Sequence, residues 1–260
     1  MSSEIQKFYE NKSVFITGVT GFLGKAILEK LLRSCPNIGT INVLIRDKRG
    51  QNVETRLDDI LASPTTLPQL SKVRAISGDL LLPKLGVSGK DYEHIISTVS
   101  IVIHSAATVK FDEKLKLACK INYRGTEKIL SLCHQVQNLE AYVHISTAFA
   151  NCDEDFISEN IIELDIKNVG FIENLRDDEE EKLTPLLIGN KPNTYTYTKA
   201  LAENLIIEKG GKLPIAIIRP SIICASWKEP EAGFVDRLNG ISAIIAATGS
   251  GLLSCLLGER

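Results

Sequence analysis

Short apolar runs recur along this chain, separated by longer stretches in which apolar residues return every three or four positions. The short runs are "SVFITG" (13 to 18), "INVLIR" (41 to 46), "VRAISGD" (73 to 79), "VSIVIHSAA" (99 to 107), "EAYVHIS" (140 to 146) and "LPIAIIRP" (213 to 220). They are rich in β-branched residues and alternate little between apolar and polar, which predicts strands covered on both faces. "FLGKAILEKLLRS" (22 to 34) carries the helical spacing and stops near Pro36. Helical segments are also expected over 112 to 135 and 194 to 209. Strands alternating with helices imply an α/β domain, a doubly wound parallel sheet with helices on both faces. Ligands of such sheets sit at the carboxyl ends of the strands, near the switch in strand order.

Two stretches depart from the alternation. Residues 151 to 192 form an acidic insertion, read as decoration on the substrate side, and its "RDDEEEK" (176 to 182) reads as a solvated helix end. "ISAIIAATGSGLLSCLLG" (241 to 258) has no charge, yet it falls short of the ~20 apolar residues a bilayer span needs. A buried helix pair or a lipid-facing surface is expected there.

Composition narrows the function classes. The 260 residues allow one large α/β domain or two small ones. A net charge of −2 offers no basic face for nucleic acid. The six cysteines show no CxxC and no regular spacing, as expected for reduced thiols facing the cytosol. The four histidines show no ligand spacing, so no metal is expected. The polar start "MSSEIQKFYENK" does not read as a secretory signal.

Candidate chemistry sits at the strand ends. "TGVTGFLG" follows the first strand and opens a helix, with Gly18, Gly21 and Gly24 at the spacing a dinucleotide pyrophosphate requires. Such glycines permit a tight turn, close backbone approach and close helix packing, and the helix N-terminus offers N–H groups to the anion. Thr20, Phe22 and Leu23 lie within the same turn. After the second strand, where an NAD site would place an acid, stands Arg46, whose planar fork suits a 2′-phosphate and favours NADPH. Asp47 beside it weakens that preference. Asp79, with Leu80, ends the third strand, placed to accept from the adenine amine. Small Ala106 and Ala107, then Thr108, follow the fourth and let a cofactor lie against the backbone. Ser146 and Thr147 end the fifth strand, and Pro220 closes the sixth.

"NTYTYTKALAE" (193 to 203) puts Tyr195 one helical turn before Lys199. Alone, that pair is an ordinary helix-face spacing. Behind a glycine turn and a fifth-strand hydroxyl it becomes an acid for hydride chemistry. A carbonyl that takes hydride needs a proton, and a phenol with an ordinary pKa near ~10 can give one when a neighbouring ammonium lowers that value. Thr147 would orient the carbonyl oxygen and Lys199 would bind the nicotinamide ribose.

Through "FITGVTGFLGKAILEKLLRSCP", "VLIRDKRG", "HSAATVKFDE", "INYRGTEKIL", "HISTAFAN", "KPNTYTYTKALAE" and "IIRPSII", the sequence resembles the extended short-chain dehydrogenase/reductase superfamily. More narrowly it resembles the alcohol-forming fatty acyl-CoA reductases, over almost the whole chain. The resemblance implies a Rossmann-type domain that reduces a long-chain acyl-CoA to a primary alcohol with two NADPH. It assigns the hydroxyl role to Thr147, proton donation to Tyr195 and the ribose role to Lys199, and it marks Asn122 as support for a water relay to the lysine. It also implies a domain spanning 1 to 260, with a substrate region starting at 221 to 260. A C-terminal helical domain and a membrane-associating tail, at the peroxisome or endoplasmic reticulum, would lie beyond "LLGER". The fold equally admits a carbonyl or sterol reductase, a sugar-nucleotide epimerase, or a cofactor-binding protein without turnover.

Overall fold

The computed structural model describes residues 3–48, 51–62, 69–166, 168–236, 238 and 240–255. After α1 (Glu4–Tyr9), the chain alternates β1 (Ser13–Thr17), α2 (Phe22–Ser34), β2 (Ile41–Ile45), α3 (Val53–Leu61), β3 (Val73–Ser77), α4 (Gly89–Thr98) and β4 (Val99–His104). Then α5 (Leu115–Ala118) and α6 (Arg124–Cys133) are joined through a π-helical turn at Cys119–Tyr123, and β5 (Ala141–Ile145) follows. The insertion folds as α7 (Asn168–Asn174) and α8 (Asp177–Ile188). α9 (Thr194–Gly210), β6 (Ile215–Ile218) and α10 (Gly240–Gly249) complete the order.

All six strands pair in parallel in the order β3-β2-β1-β4-β5-β6. The chain winds outward from β1 to β3, returns to the centre, and winds the other way from β4 to β6. That reversal opens a crevice at the carboxyl ends of β1 and β4, the place where doubly wound sheets bind ligands.

Alternation along the strands feeds two cores. Val14, Ile16, Val43, Ile45, Ile101 and Ile103 point to one face and pack under Leu28, Leu31 and Leu32 of α2. Phe15, Leu44, Ile76, Val102 and Tyr142 point to the other, where α6 and α9 supply Ile129, Leu130, Leu201 and Leu205. Successive strand side chains face opposite sides, so a sheet covered twice needs apolar residues at both parities. The continuous apolar runs in the sequence have this cause.

Several boundaries differ from the sequence expectation. The strands end one to three residues early, because the last residues of each run leave the ladder to form the crevice rim. The helix expected over 112 to 135 breaks into α5, the π-helical turn and α6. Insertion of a π turn re-aims side chains and is common at functional sites; here it carries Asn122. The acidic run is a helix start, but Glu180 within it is 4% exposed and accepts from the Lys116 N–H at 2.7 Å. For 241 to 258 the expected buried helix pair is corrected: among the described residues one helix, α10, forms, and none of its residues is fully buried. Residues 256 to 258 lie outside the described residues. Among the described residues no helix is long and apolar enough to cross a membrane.

Candidate active site

The glycine turn shows what each glycine does. Gly18 has φ +80°, and a Cβ there would meet the Ala106 N at 2.6 Å, so β1 and β4 close on each other only without a side chain. At Gly24 a Cβ would lie 2.3 Å from the Gly18 carbonyl oxygen, which fixes α2 against the turn. Gly21 differs: a Cβ there would touch only the Gly18 oxygen, at 3.3 Å. Gly21 is the N-cap of α2, and no side chain caps this helix. A bare helix N-terminus behind an open glycine fits a pyrophosphate. Thr20, Phe22 and Leu23 are partly exposed on this turn. Phe22 also meets Phe234 with ring centroids 6.4 Å apart, and Lys25 pairs with Asp236 at 2.9 Å. The segment after β6 therefore returns to the start of α2, a contact with no signal in the sequence.

Arg46 and Asp79 extend from β2 and β3, neighbours in the sheet, and their charges face each other at 3.8 Å. Arg46 is mostly exposed. Asp79 also accepts from the Leu81 N–H at 2.9 Å, and the adjacent Leu80 is buried, its carbonyl accepting from Lys128 at 2.5 Å. An exposed ion pair at that distance is weak and leaves the guanidinium available.

Ala106, Ala107 and Thr108 leave β4 half-buried. Asn122 grips this segment: its Oδ1 accepts from the Thr108 N–H at 2.9 Å, and its Nδ2 donates to the Thr108 carbonyl at 3.2 Å and to Thr198 Oγ1 at 2.9 Å. Its own carbonyl accepts from Thr126 Oγ1 at 2.7 Å. The amide thus ties the β4 rim to α9.

α9 starts at Asn193, whose side chain accepts from the Thr196 N–H at 2.9 Å. It is buried on nearly every side, Lys199 included, at 3% exposure. The Lys199 ammonium donates to the Ile145 carbonyl at 2.6 Å and reaches His144 Nε2 at 3.2 Å. Burial brings its pKa down to about 8, against the opposing pull of Glu203. Tyr195, half-buried one turn earlier, has its phenol pushed up by burial, while a hydrogen bond with Thr147 works the other way. The Lys199 ammonium is directed to β5, and burial is the largest influence on the Tyr195 phenol. Phe111, exposed at the rim, lies beside the Tyr195 ring at a centroid distance of 5.9 Å.

Ser146 turns away from this centre: its hydroxyl donates to Glu203, which Arg219 also grips through Nε at 2.9 Å and Nη2 at 2.6 Å. Arg219 further donates to the Ser158 and Asn160 carbonyls at 2.8 and 3.0 Å, tying the insertion to α9. The Pro220 carbonyl accepts from the Ala148 N–H at 2.9 Å and so holds the backbone beside Thr147. Spacing gave no hint of Glu203, Arg219, or the two buried histidines at 104 and 144. The only available signal was that each lies in or beside a motif already noted.

Comparison with known proteins bears on the family and the fold. The family model described as "Male sterility protein", an NAD-binding model, matches residues 16–260. Fatty acyl-CoA reductase 1 of Homo sapiens is 43% identical over 259 residues, covering 96% of this chain and 50% of that protein. Fatty acyl-CoA reductase 2 of Mus musculus is 44% identical over 261 residues, with 96% and 51% covered. The chain therefore spans about half the length of these relatives. Among solved structures, the PhqB reductase domain from Penicillium fellutanum superposes with a TM-score of 0.63 at 21% identity, covering 94% of this chain and 56% of that one. A thiolation-reductase di-domain from an archaeal non-ribosomal peptide synthetase gives 0.61 at 24%, covering 86% and 44%. These likenesses carry the fold, a Rossmann-type sheet, and the NAD-binding family model supports a nicotinamide dinucleotide as cofactor. By the match over residues 16–260 and the identities above, the chain belongs to the fatty acyl-CoA reductase family.

Proposed function

We propose that this domain reduces a long-chain fatty acyl-CoA to the fatty alcohol through an aldehyde, with NADPH as reductant. One observation carries the reading: a half-buried phenol on α9 feels the Thr147 hydroxyl at the end of β5, which offsets part of the effect of its burial, with a buried ammonium one helical turn along α9. The bare α2 N-terminus and Gly21 would hold the pyrophosphate, and Arg46 the 2′-phosphate that separates NADPH from NADH. The bound dinucleotide supplies hydride to the carbonyl carbon.

The residues of the chain do the rest. Thr147 donates a hydrogen bond to the thioester oxygen and sets its direction. Tyr195 passes its proton to that oxygen as negative charge gathers there, which makes a hemithioacetal. A phenol kept protonated by burial is in the right state for this role. Collapse of the hemithioacetal releases CoA as the thiol and leaves an aldehyde. Once Tyr195 has regained a proton from water, a second hydride and a second proton from Tyr195 give the alcohol, so each alcohol consumes two reductants and two protons. Lys199 holds the ribose. The segments 151 to 192 and 221 to 260 form the substrate side.

The test follows NADPH oxidation with palmitoyl-CoA, a long-chain aldehyde and a sterol ketone, using this chain and the longest natural version of it. Expected are two NADPH oxidised per alcohol from palmitoyl-CoA and one from the aldehyde. Turnover of the sterol ketone alone would overturn the reading.

A further inference from the structure

We infer that His144 is a positioning residue for Lys199: its imidazole, unprotonated at Nε2, receives the buried ammonium and, with the Ile145 carbonyl, fixes the direction in which that ammonium serves the cofactor. This rests on the role of Lys199 proposed above.

The hydrogen bonds fix the tautomers. An ammonium only donates, so the 3.2 Å contact from Lys199 Nζ requires a lone pair on His144 Nε2. The ring proton therefore sits on Nδ1, which faces the Tyr142 hydroxyl at 3.5 Å. His104, whose ring lies 5.4 Å from that of His144, is fixed the other way. Thr126 spends its hydroxyl proton on the Asn122 carbonyl, so it accepts from His104 Nε2 at 3.3 Å. His104 Nδ1 then accepts from Thr17 Oγ1 at 2.7 Å. Two neutral imidazoles thus form the floor beneath Lys199, both with pKa values pushed down by burial and by the ammonium itself. Of the three N–H groups on Nζ, Ile145 and His144 take two, which leaves one for a ribose hydroxyl. The other charged and titratable groups about Lys199 are Glu203 one turn along α9, Arg219 paired to that carboxylate, Tyr142 on β5, and Tyr195.

The test compares His144→Phe, which keeps a ring and removes the acceptor, with His144→Gln, whose amide oxygen can take the place of Nε2. NADPH affinity is measured by calorimetry from pH 6 to 10. A hydrogen bond to a charged group supports a loss of ~10-fold in His144→Phe. The alkaline limb of the affinity profile should also move to lower pH, since the ammonium has lost a partner, while His144→Gln should restore both. A merely structural histidine would lower the melting temperature and leave the limb where it is; that result, or equal behaviour of Phe and Gln, overturns the inference. A second arm stands without the cofactor and without the Phe variant. Long-range proton–nitrogen NMR on the unliganded chain should show His144 as the neutral Nδ1–H tautomer, with its Nε2 resonance moved by Lys199→Met. A cationic ring, the opposite tautomer, or an unmoved resonance overturns it too. If the parent chain binds no NADPH, the cofactor reading fails by itself and the NMR arm decides this one.

Discussion

Tyr195 and Tyr197 lie two positions apart on α9 and face different surroundings. Tyr197 belongs to the core, 5% exposed and with its phenol pushed up to about 12 by burial. Tyr195 is half-buried beside Thr147 and Phe111. Tyr195→Phe should therefore lower turnover by ~100- to 10,000-fold with NADPH affinity nearly unchanged, read by steady-state kinetics and calorimetry. Tyr197→Phe should leave turnover near the parental rate, because its hydroxyl faces the core. Comparable losses in the two variants would place the proton donor elsewhere. Arg46→Ala should reduce the preference for NADPH over NADH in fluorescence titrations, since the fork that suits a 2′-phosphate is gone.

Elements are held in register by contacts between them as much as by their own propensities. Glu203 joins α9 to Ser146 after β5 and to Arg219 after β6, and its side chain is 1% exposed. Removing one partner of a buried pair leaves the other charge without compensation, so Glu203→Leu should cost ~3 to 5 kcal/mol in urea unfolding. A cost below about 1 kcal/mol would mean that water reaches Arg219 freely in the variant. The glycine turn separates folding from binding in the same way. Gly21→Val should lose NADPH with near-parental circular dichroism, since the backbone there is ordinary and the added atoms enter the open side. Gly24→Ala should disturb both, because its Cβ meets backbone at 2.3 Å.

Taken whole, the molecule encloses two histidines and a lysine whose charging opposes folding, and its stability should depend on pH accordingly. His104 has a folded pKa near 3 against 6.5 unfolded, and His144 lies well below 6.5 as well. The unfolded chain binds more protons below pH ~6.5, so stability is lost as pH falls from there. Each depressed histidine steepens that loss by up to ~1.4 kcal/mol per pH unit. The urea midpoint should drop between pH 7 and 5, before ordinary carboxylates titrate, and His104→Gln should flatten the drop. For Lys199 the window is alkaline. Its folded pKa of about 8 lies below the unfolded 10.5, so its burial costs stability below pH 8 and the cost fades as pH climbs toward 10.5. Lys199→Met should thus be more stable than the parent at pH 7, with the difference shrinking across that window.

Much of this was legible in the sequence because it is local. A β-branched run in a doubly covered sheet must be apolar at both parities, and a glycine that abuts backbone admits no substitute. The strands, the glycine turn and the Tyr195-x-x-x-Lys199 spacing follow from neighbours in the chain. The break in the helix over 112 to 135 and the exposure of α10 do not, since a π turn and a bare apolar helix depend on what packs against them. Nor does the floor of the site. His144 meets Lys199 across 55 residues, Thr17 meets His104 across 87, and Ser146 meets Glu203 across 57. A histidine spaced like any core residue becomes a partner for an ammonium only when strand pairing brings β4 and β5 beneath α9. Periodicity records which side of an element is buried, while the identity of the group waiting on the other side is decided by the order of strands in the sheet.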